Sequence, residues 1–372
     1  MSGLSETLAG LSAIKRAMAS SSEDPIGMMN EVSSFGPNPG ALRMLCYAPQ
    51  HLPATSPLVV ALHGCTQSAA GYASSAGWLT LADRLGFAVL APEQTSANNP
   101  NRCFNWFEVG DTKRGKGEAA SIHAMIMHMI ASHSLDAKRV FITGLSAGGA
   151  MTAAMLAEYP EIFAAGAVIA GLPAGAADSV QTALAVMRTG DRCSDAALTA
   201  RIHTGESCTA YPRLSIWHGT ADRTVSDANA DDLQRQWTGL LGLPQAPNRT
   251  EVAGRWTRSQ WVDDTGEVLV ERHSISGLGH GAPLALSCSN PVGHVAPFML
   301  DAGVSSSLEI AQFWGIAAAS GDGLQSRGSR IQNRRPHGDA LGESVMAAVG
   351  SHVQGEVGTV IAKALKAAGL LR

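Results

Sequence analysis

From about residue 40 the chain alternates short apolar runs with segments of helical period. The runs 41–49, 57–64, 86–93, 139–144, 163–171 and 213–219 are largely apolar, several on consecutive positions, which is the pattern of parallel strands covered on both faces. Residues 266–276 add a further strand. Between the runs, 77–86 and 118–133 repeat their apolar residues at helical spacing. Strand and helix in alternation predict βαβ units and a doubly wound, mostly parallel sheet.

Two stretches break the rhythm. Residues 172–212 are too long for an ordinary βα connection and read as a cap-like insertion or lid. Cys193 and Cys208 both fall inside it and would clip it if oxidised. After Trp314 the composition turns to Gly, Ser, Asn and Arg, so 319–340 reads as a basic linker. Residues 341–372 then place Met346, Val349, Val353, Val357, Val360, Ala364 and Ala368 on one helical stripe, weakened by Gly350, Gly355 and Gly358. That helix is expected to dock on the body or on a partner. At the other end, Leu4, Leu8, Leu11, Ile14 and Met18 predict an amphipathic helix within an extension over 1–39. The catalytic α/β domain is thereby expected over 40–318.

The bulk numbers narrow the function. With 372 residues and 45% hydrophobic residues, the chain can bury a large core. A net charge of −4 gives no overall attraction to nucleic acid, and no apolar run reaches the roughly 20 residues of a membrane span. The first residues lack the basic, apolar, small-residue order of a signal peptide. A cytoplasmic protein is the expectation, with a secreted protein whose leader has been removed as the alternative. Six cysteines without a CxxC pair fit neither a zinc site nor a redox motif.

One short stretch carries chemistry. Gly144, Ser146 and Gly148 form G-x-S-x-G between a β-branched strand and an alanine-rich helix. A sharp strand-to-helix turn lifts a serine hydroxyl above the sheet, and side chains two residues to either side would collide. The alternative, a serine that merely caps a helix, lacks a reason for both glycines. A nucleophilic serine needs a base and an orienting carboxylate, in the order Ser, acid, His for this arrangement. Asp222 follows the 213–219 strand at the expected loop, with Asp227 as its competitor at a helix start. His280 lies between Gly279 and Gly281 after the last strand, with His273 and His294 as rivals. The second oxyanion donor is expected after the 57–64 strand, so the backbone amides of Cys65 and Ala147 are the candidates; Cys65 as a nucleophile would need a nearby base. His63, Asn105 and Trp106 are candidate substrate contacts, the latter two in an aromatic, asparagine-rich connection at a strand's C-terminal end.

Two patterns are decoys. Residues 110–117 approach a phosphate loop but place Gly117 where a hydroxyl should be. His123, His128 and His133 recur every five residues, so each is turned about 140° from the last on a helix and they do not share a metal.

In these blocks, taken in order from LHGCTQSAAGYA through APEQTSANNPNRCFNWF, GLSAGGAMTAAMLAEYP, FAAGAVIAGLP and WHGTADRTV to GLGHGAPL, the chain resembles the poly(3-hydroxybutyrate) depolymerase family of esterases. These are relatives of feruloyl and acetylxylan esterases in the α/β-hydrolase superfamily. The resemblance implies the α/β-hydrolase fold and the triad Ser146, Asp222 and His280. It also implies oxyanion donors at Cys65 and Ala147 and no cofactor. An ester substrate follows, either small or polymeric. Phe104 stands where relatives commonly carry a second tryptophan, and no polymer-adsorbing module is recognisable. Soluble esters or oligomers are therefore expected ahead of crystalline polyester. A carbohydrate esterase, an acyltransferase, a peptidase or lipase, and a non-catalytic binding protein are the rival readings.

Overall fold

The computed structural model describes residues 28–202 and 211–318. The chain divides into two units, Met1–Gly321 and Asp322–Arg372, and every described residue belongs to the first. The expected N-terminal helix, the basic linker and the C-terminal helix lie outside the described residues.

One ten-stranded sheet organises the unit. Its parallel centre holds β3 (Leu58–Leu62), β4 (Ala88–Glu93), β5 (Val140–Leu145), β6 (Ala165–Ile169), β7 (Arg213–Gly219) and β10 (Val268–Ile275). In space these run β4-β3-β5-β6-β7-β10. The apolar runs become strands because both faces are covered. Leu58, Val60 and Leu62 join one core, with Ile142 and Ile216, while Val59 and Ala61 join the other, with Phe141 and Trp217.

The helical periods at 77–86 and 118–133 both become helices, and further helices join them. On one face α1 (Ala69–Ser75), α2 (Trp78–Leu85) and α9 (Ser306–Phe313) contribute to the second core. On the other, α4 (Gly117–His133), preceded by the short α3 (Val109–Thr112), packs with α5 (Ala147–Glu158) and α8 (Ala228–Leu240).

The edges depart from expectation. β1 (Asn30–Val32) pairs antiparallel with β2 (Arg43–Tyr47), so the sheet begins inside the segment expected to be a helical extension. At the far edge, β9 (Trp256–Val262) and β8 (Arg249–Ala253) form an antiparallel hairpin on β10. A small second sheet joins β11 (Ala282–Leu284) to β12 (Met299–Asp301).

The insertion carries α6 (Val180–Thr189) and α7 (Asp195–Ala200). Its described part is pinned to α8: Asn229 Nδ2 donates to the Val186 carbonyl at 3.0 Å, and Gln236 Nε2 donates to the Leu198 carbonyl at 2.9 Å. The clip between Cys193 and Cys208 falls partly outside the described residues: Cys193 is a free thiol among them, and Cys208 is not one of them. The disulfide that does form joins Cys65 to Cys103, on the loops after β3 and β4.

Between β3 and β5 the strand order reverses, because the chain turns to β4 on one side before crossing to β5 on the other. Open α/β sheets bind ligands at the carboxyl ends of strands beside such a switch. Cys65 follows β3 there, and Ser146 follows β5.

Candidate active site

Ser146 sits at φ 58°, ψ −117°, a strained backbone for a non-glycine residue. Its side chain makes no capping bond to α5, so it is not there as a helix cap. The glycines explain themselves sterically. A Cβ at Gly148 would lie 2.3 Å from the Leu62 carbonyl oxygen, and one at Gly144 would lie 2.3 Å from that of Gly148. Both obstacles are backbone and cannot step aside. Gly148→Ala is therefore expected to push α5 off β3 at a cost of about 3 kcal/mol or more, seen as a large drop in melting temperature or as insoluble protein.

Both predicted amides are free among the described residues, as are those of Gly148 and Gly149 in the first turn of α5. The Gly64 amide donates to Gln67 Oε1 at 2.8 Å, the Thr66 amide to the Asn101 carbonyl at 2.7 Å, and the Ser146 amide to the Ile169 carbonyl at 2.9 Å. Those of Cys65 and Ala147 have no protein acceptor among the described residues. They flank the serine from the β3 loop and from the first turn of α5, the arrangement an oxyanion requires.

Asp222 and His280 meet across β7 and β10. His280 Nδ1 lies 2.6 Å from Asp222 Oδ2. Asp222 Oδ1 accepts the amides of Thr224 at 2.8 Å and Val225 at 2.9 Å. Burial alone would push this carboxyl up, but hydrogen bonds from His218 and His280 outweigh it and hold the group well below the usual carboxylate range. An ionised Asp222 accepts the Nδ1 proton of His280, which leaves Nε2 as the basic nitrogen. The Ser146 hydroxyl stands on the same sheet edge, but its hydrogen bond to His280 is not closed in this structure. The Phe298 ring packs edge-on to His280 at 6.1 Å, on a backbone with φ 65°.

The competitors fall away. Asp227 occupies the N-cap position of α8 without a side-chain cap bond. His273 is fully buried, its Nδ1 accepting from Trp256 Nε1 at 2.9 Å and its Nε2 3.0 Å from Glu271. His294 is exposed and its amide is bound to the Ser75 carbonyl. In the near-miss phosphate loop, Lys113 pairs with Glu158 at 2.6 Å and Arg114 with Glu161 at 2.7 Å. His123 stacks on Tyr159.

The substrate-contact residues divide. Trp106 is nearly buried and packs in an apolar cluster with Ala147, Ala150, Leu172, Ala183 and Val186. Trp106, expected as a substrate contact, thus lies between the nucleophile helix and the insertion. His63 is a correction: it is wholly buried, Nδ1 lies 2.8 Å from the Gly64 carbonyl, and Nε2 accepts the Gln94 amide at 3.1 Å. Because the strand points it into the sheet's own packing, burial lowers its pKa to about 4 and it braces the loop as a neutral imidazole. Asn105 is a second correction. Its Oδ1 accepts from Asn99 at 3.0 Å and its Nδ2 donates to Asp111 at 3.2 Å, so its amide is committed within the loop.

Three residues went unnoticed in the sequence. His218 carries its Nε2 proton toward the Val225 carbonyl at 2.9 Å, with Asp222 Oδ2 at 3.4 Å; its place four residues before the acid is the only signal. The others, Gln94 and Glu118, lie buried behind the Cys103–Cys65 bridge. Burial pushes the Glu118 carboxyl up to about 8 from its ordinary 4.5. Across that window the folded protein holds a proton that the unfolded chain has released. Stability should therefore fall with rising pH, by about 1.4 kcal/mol per unit from this group. Urea melts from pH 5 to 8.5 on the wild type and on Glu118→Gln would show the slope in the first and its loss in the second.

A strained serine elbow, two unpaired amides and a carboxylate–imidazole pair on one edge of a mostly parallel sheet define an α/β-hydrolase of the serine esterase class. Residues 44–258 match the family model described as Esterase PHB depolymerase. The chain belongs to that family and is a carboxylic ester hydrolase. It is 43% identical over 300 residues to the poly(3-hydroxyalkanoate) depolymerase C of Paucimonas lemoignei, covering 79% of this chain and 72% of the relative. It is 31% identical to a feruloyl esterase B of Talaromyces funiculosus, over 70% of this chain and 74% of that one. Among solved structures, an acetyl xylan esterase from Aspergillus awamori superposes with a TM-score of 0.65 at 27% identity, over 78% of this chain and 99% of the other.

Proposed function

We propose that Ser146, His280 and Asp222 are the catalytic triad of an esterase acting on short hydroxyalkanoate oligoesters and polyester chains. His280 Nε2 takes the proton of Ser146 as Oγ attacks the ester carbonyl. The oxyanion that develops is held by the Cys65 and Ala147 amides. Collapse expels the alcohol, which takes the proton back from His280; water, deprotonated by the same nitrogen, then releases the acid. Asp222 keeps the imidazole in the useful tautomer throughout. The single observation that carries this reading is the 2.6 Å contact between His280 Nδ1 and Asp222 on the edge where Ser146 stands.

The substrate class is supported by the higher identity to the polyhydroxyalkanoate depolymerase, 43% against 31% for the feruloyl esterase. The Cys65–Cys103 disulfide favours an oxidising compartment over the cytoplasm. A panel of 3-hydroxybutyrate oligomers, feruloyl esters and acetylated sugars tests the assignment. The highest kcat/KM should fall on the hydroxybutyrate oligomers; a preference for feruloyl or acetyl sugar esters would replace it with the carbohydrate reading.

A further inference from the structure

Behind the oxyanion loop lies a buried carboxyl that the acyl-transfer scheme does not use. Glu118 stands in the first turn of α4 and is 1% exposed. Its Oε2 accepts the Asn105 amide at 2.9 Å, and its Oε1 accepts a hydrogen bond from Gln94 Nε2. The same Gln94 nitrogen donates to the Cys103 carbonyl at 3.1 Å. Gln94 Oε1 accepts from the Thr95 amide at 3.0 Å and from Asn98 at 2.9 Å. Its own amide is bound to His63. Asp111 completes the circle, taking the Glu118 amide at 3.3 Å on one oxygen and Asn105 Nδ2 on the other.

Three bonds of this network reach the segment 103–106: Gln94 Nε2 to the Cys103 carbonyl, the Asn105 amide to Glu118, and Asn105 Nδ2 to Asp111. Cys103 is bonded covalently to Cys65, whose amide is proposed above as an oxyanion donor, and Asn105 precedes Trp106, which packs in one cluster with Ala147 of α5. A carboxyl is costly in such a place, since burial keeps its proton on well above the usual range, and an apolar side chain would be cheaper. What a carboxyl supplies, with or without its proton, is one oxygen facing each of two N–H groups from two chain segments. A glutamine supplies one, and would turn its own NH2 against either the Asn105 amide or Gln94.

We propose that Glu118 is a positioning residue for ester hydrolysis. Through Gln94 and the Asn105 amide it fixes the segment 103–106, and through the Cys65–Cys103 bridge it fixes the amide that binds the oxyanion. The inference rests on Cys65 as an oxyanion donor, as proposed above. An oxyanion contact strengthens in the transition state, so its misplacement lowers kcat and leaves KM nearly unchanged. Outright loss of one donor costs about 10²- to 10³-fold. A donor displaced but still present should cost about 10- to 100-fold.

The test measures kcat, KM and the inhibition constant of an arylboronic acid, which forms a tetrahedral adduct on a nucleophilic serine. Glu118→Gln should lose about 10- to 100-fold in kcat on an aryl ester and a similar factor in boronate affinity. Glu118→Asp, with both acceptor oxygens on a shorter stem, should recover part of each. Gln94→Leu breaks the same chain from its other end and should reproduce the loss. Wild-type kcat and boronate affinity in Glu118→Gln, with only the melting temperature moved, would overturn the proposal, as would failure of both Glu118→Gln and Gln94→Leu to fold. Labelling of wild-type Ser146 by a fluorophosphonate separates the two levels. No label removes the underlying triad, whereas a labelled wild type with an unimpaired Glu118→Gln removes only the role of Glu118.

Discussion

Ser146→Ala should lower kcat on an aryl ester by about five to six orders of magnitude, with the melting temperature close to that of the wild type. The size follows from the loss of the nucleophile in a unit whose members act together, where removing the serine alone abolishes nearly all of the triad's contribution. Residual turnover would come from the two amides and from His280 acting on water. The fold should survive because the hydroxyl caps nothing, and the tight glycine contacts around it are untouched. Alanine meets the same positive φ of 58° as serine, so the backbone strain is unchanged. Steady-state kinetics together with fluorophosphonate labelling checks this. Retention of more than about 1% of the activity, or a label on the variant, would put the nucleophile elsewhere. An enzyme that only binds esters would show no difference between the two proteins.

The parts of this site that could be read in the sequence are those whose reasons are local. G-x-S-x-G between a strand and a helix implies one backbone geometry, because any Cβ at Gly148 strikes the Leu62 carbonyl. The central strands announce themselves because both faces are covered, which leaves only apolar residues. The hairpin β8–β9 was hidden for the opposite reason: at the sheet's edge β8 has no buried residue, and β9 buries only Trp256 and Trp261. β1 fails in the same way, as three residues with no buried face. Most obscure were contacts fixed only by folding. Cys65 and Cys103 lie 38 positions apart and meet because β3 and β4 end side by side, whereas the pairing of Cys193 with Cys208 was suggested by nearness in sequence alone. His63 and Asn105 misled because a strand end and a polar loop are where contacts are expected. Both are polar residues spent on holding the loop. Glu118 and Gln94, with no motif of their own, become visible only when both are found buried against the same loop.

Asp222→Asn should lower kcat by about 10⁴-fold with KM little changed, and the reason can be followed atom by atom. Oδ1 of Asp222 is taken by two amide donors, those of Thr224 and Val225. Oδ2 faces two more donors, His280 Nδ1 at 2.6 Å and His218 Nε2 at 3.4 Å. The proton on His218 Nε2 is fixed by the Val225 carbonyl, which can only accept. An asparagine has one oxygen for these two pairs. With its oxygen on the amides, its NH2 points at His280 and forces Nδ1 to accept, so the imidazole proton moves to Nε2 and the base is lost. The flipped amide restores the tautomer but presses NH2 against two backbone N–H groups that cannot turn away, at about 1–3 kcal/mol for each donor left unsatisfied. The wrong tautomer is the cheaper outcome. Asp227→Asn, at a helix start with no bond to His280, is the matched control and should stay within twofold of the wild type. Fluorophosphonate labelling of Ser146 in Asp222→Asn should be slow but complete, since the nucleophile and both oxyanion amides remain. A loss below tenfold in Asp222→Asn, or a larger one in Asp227→Asn, would mean that another carboxylate orients the histidine.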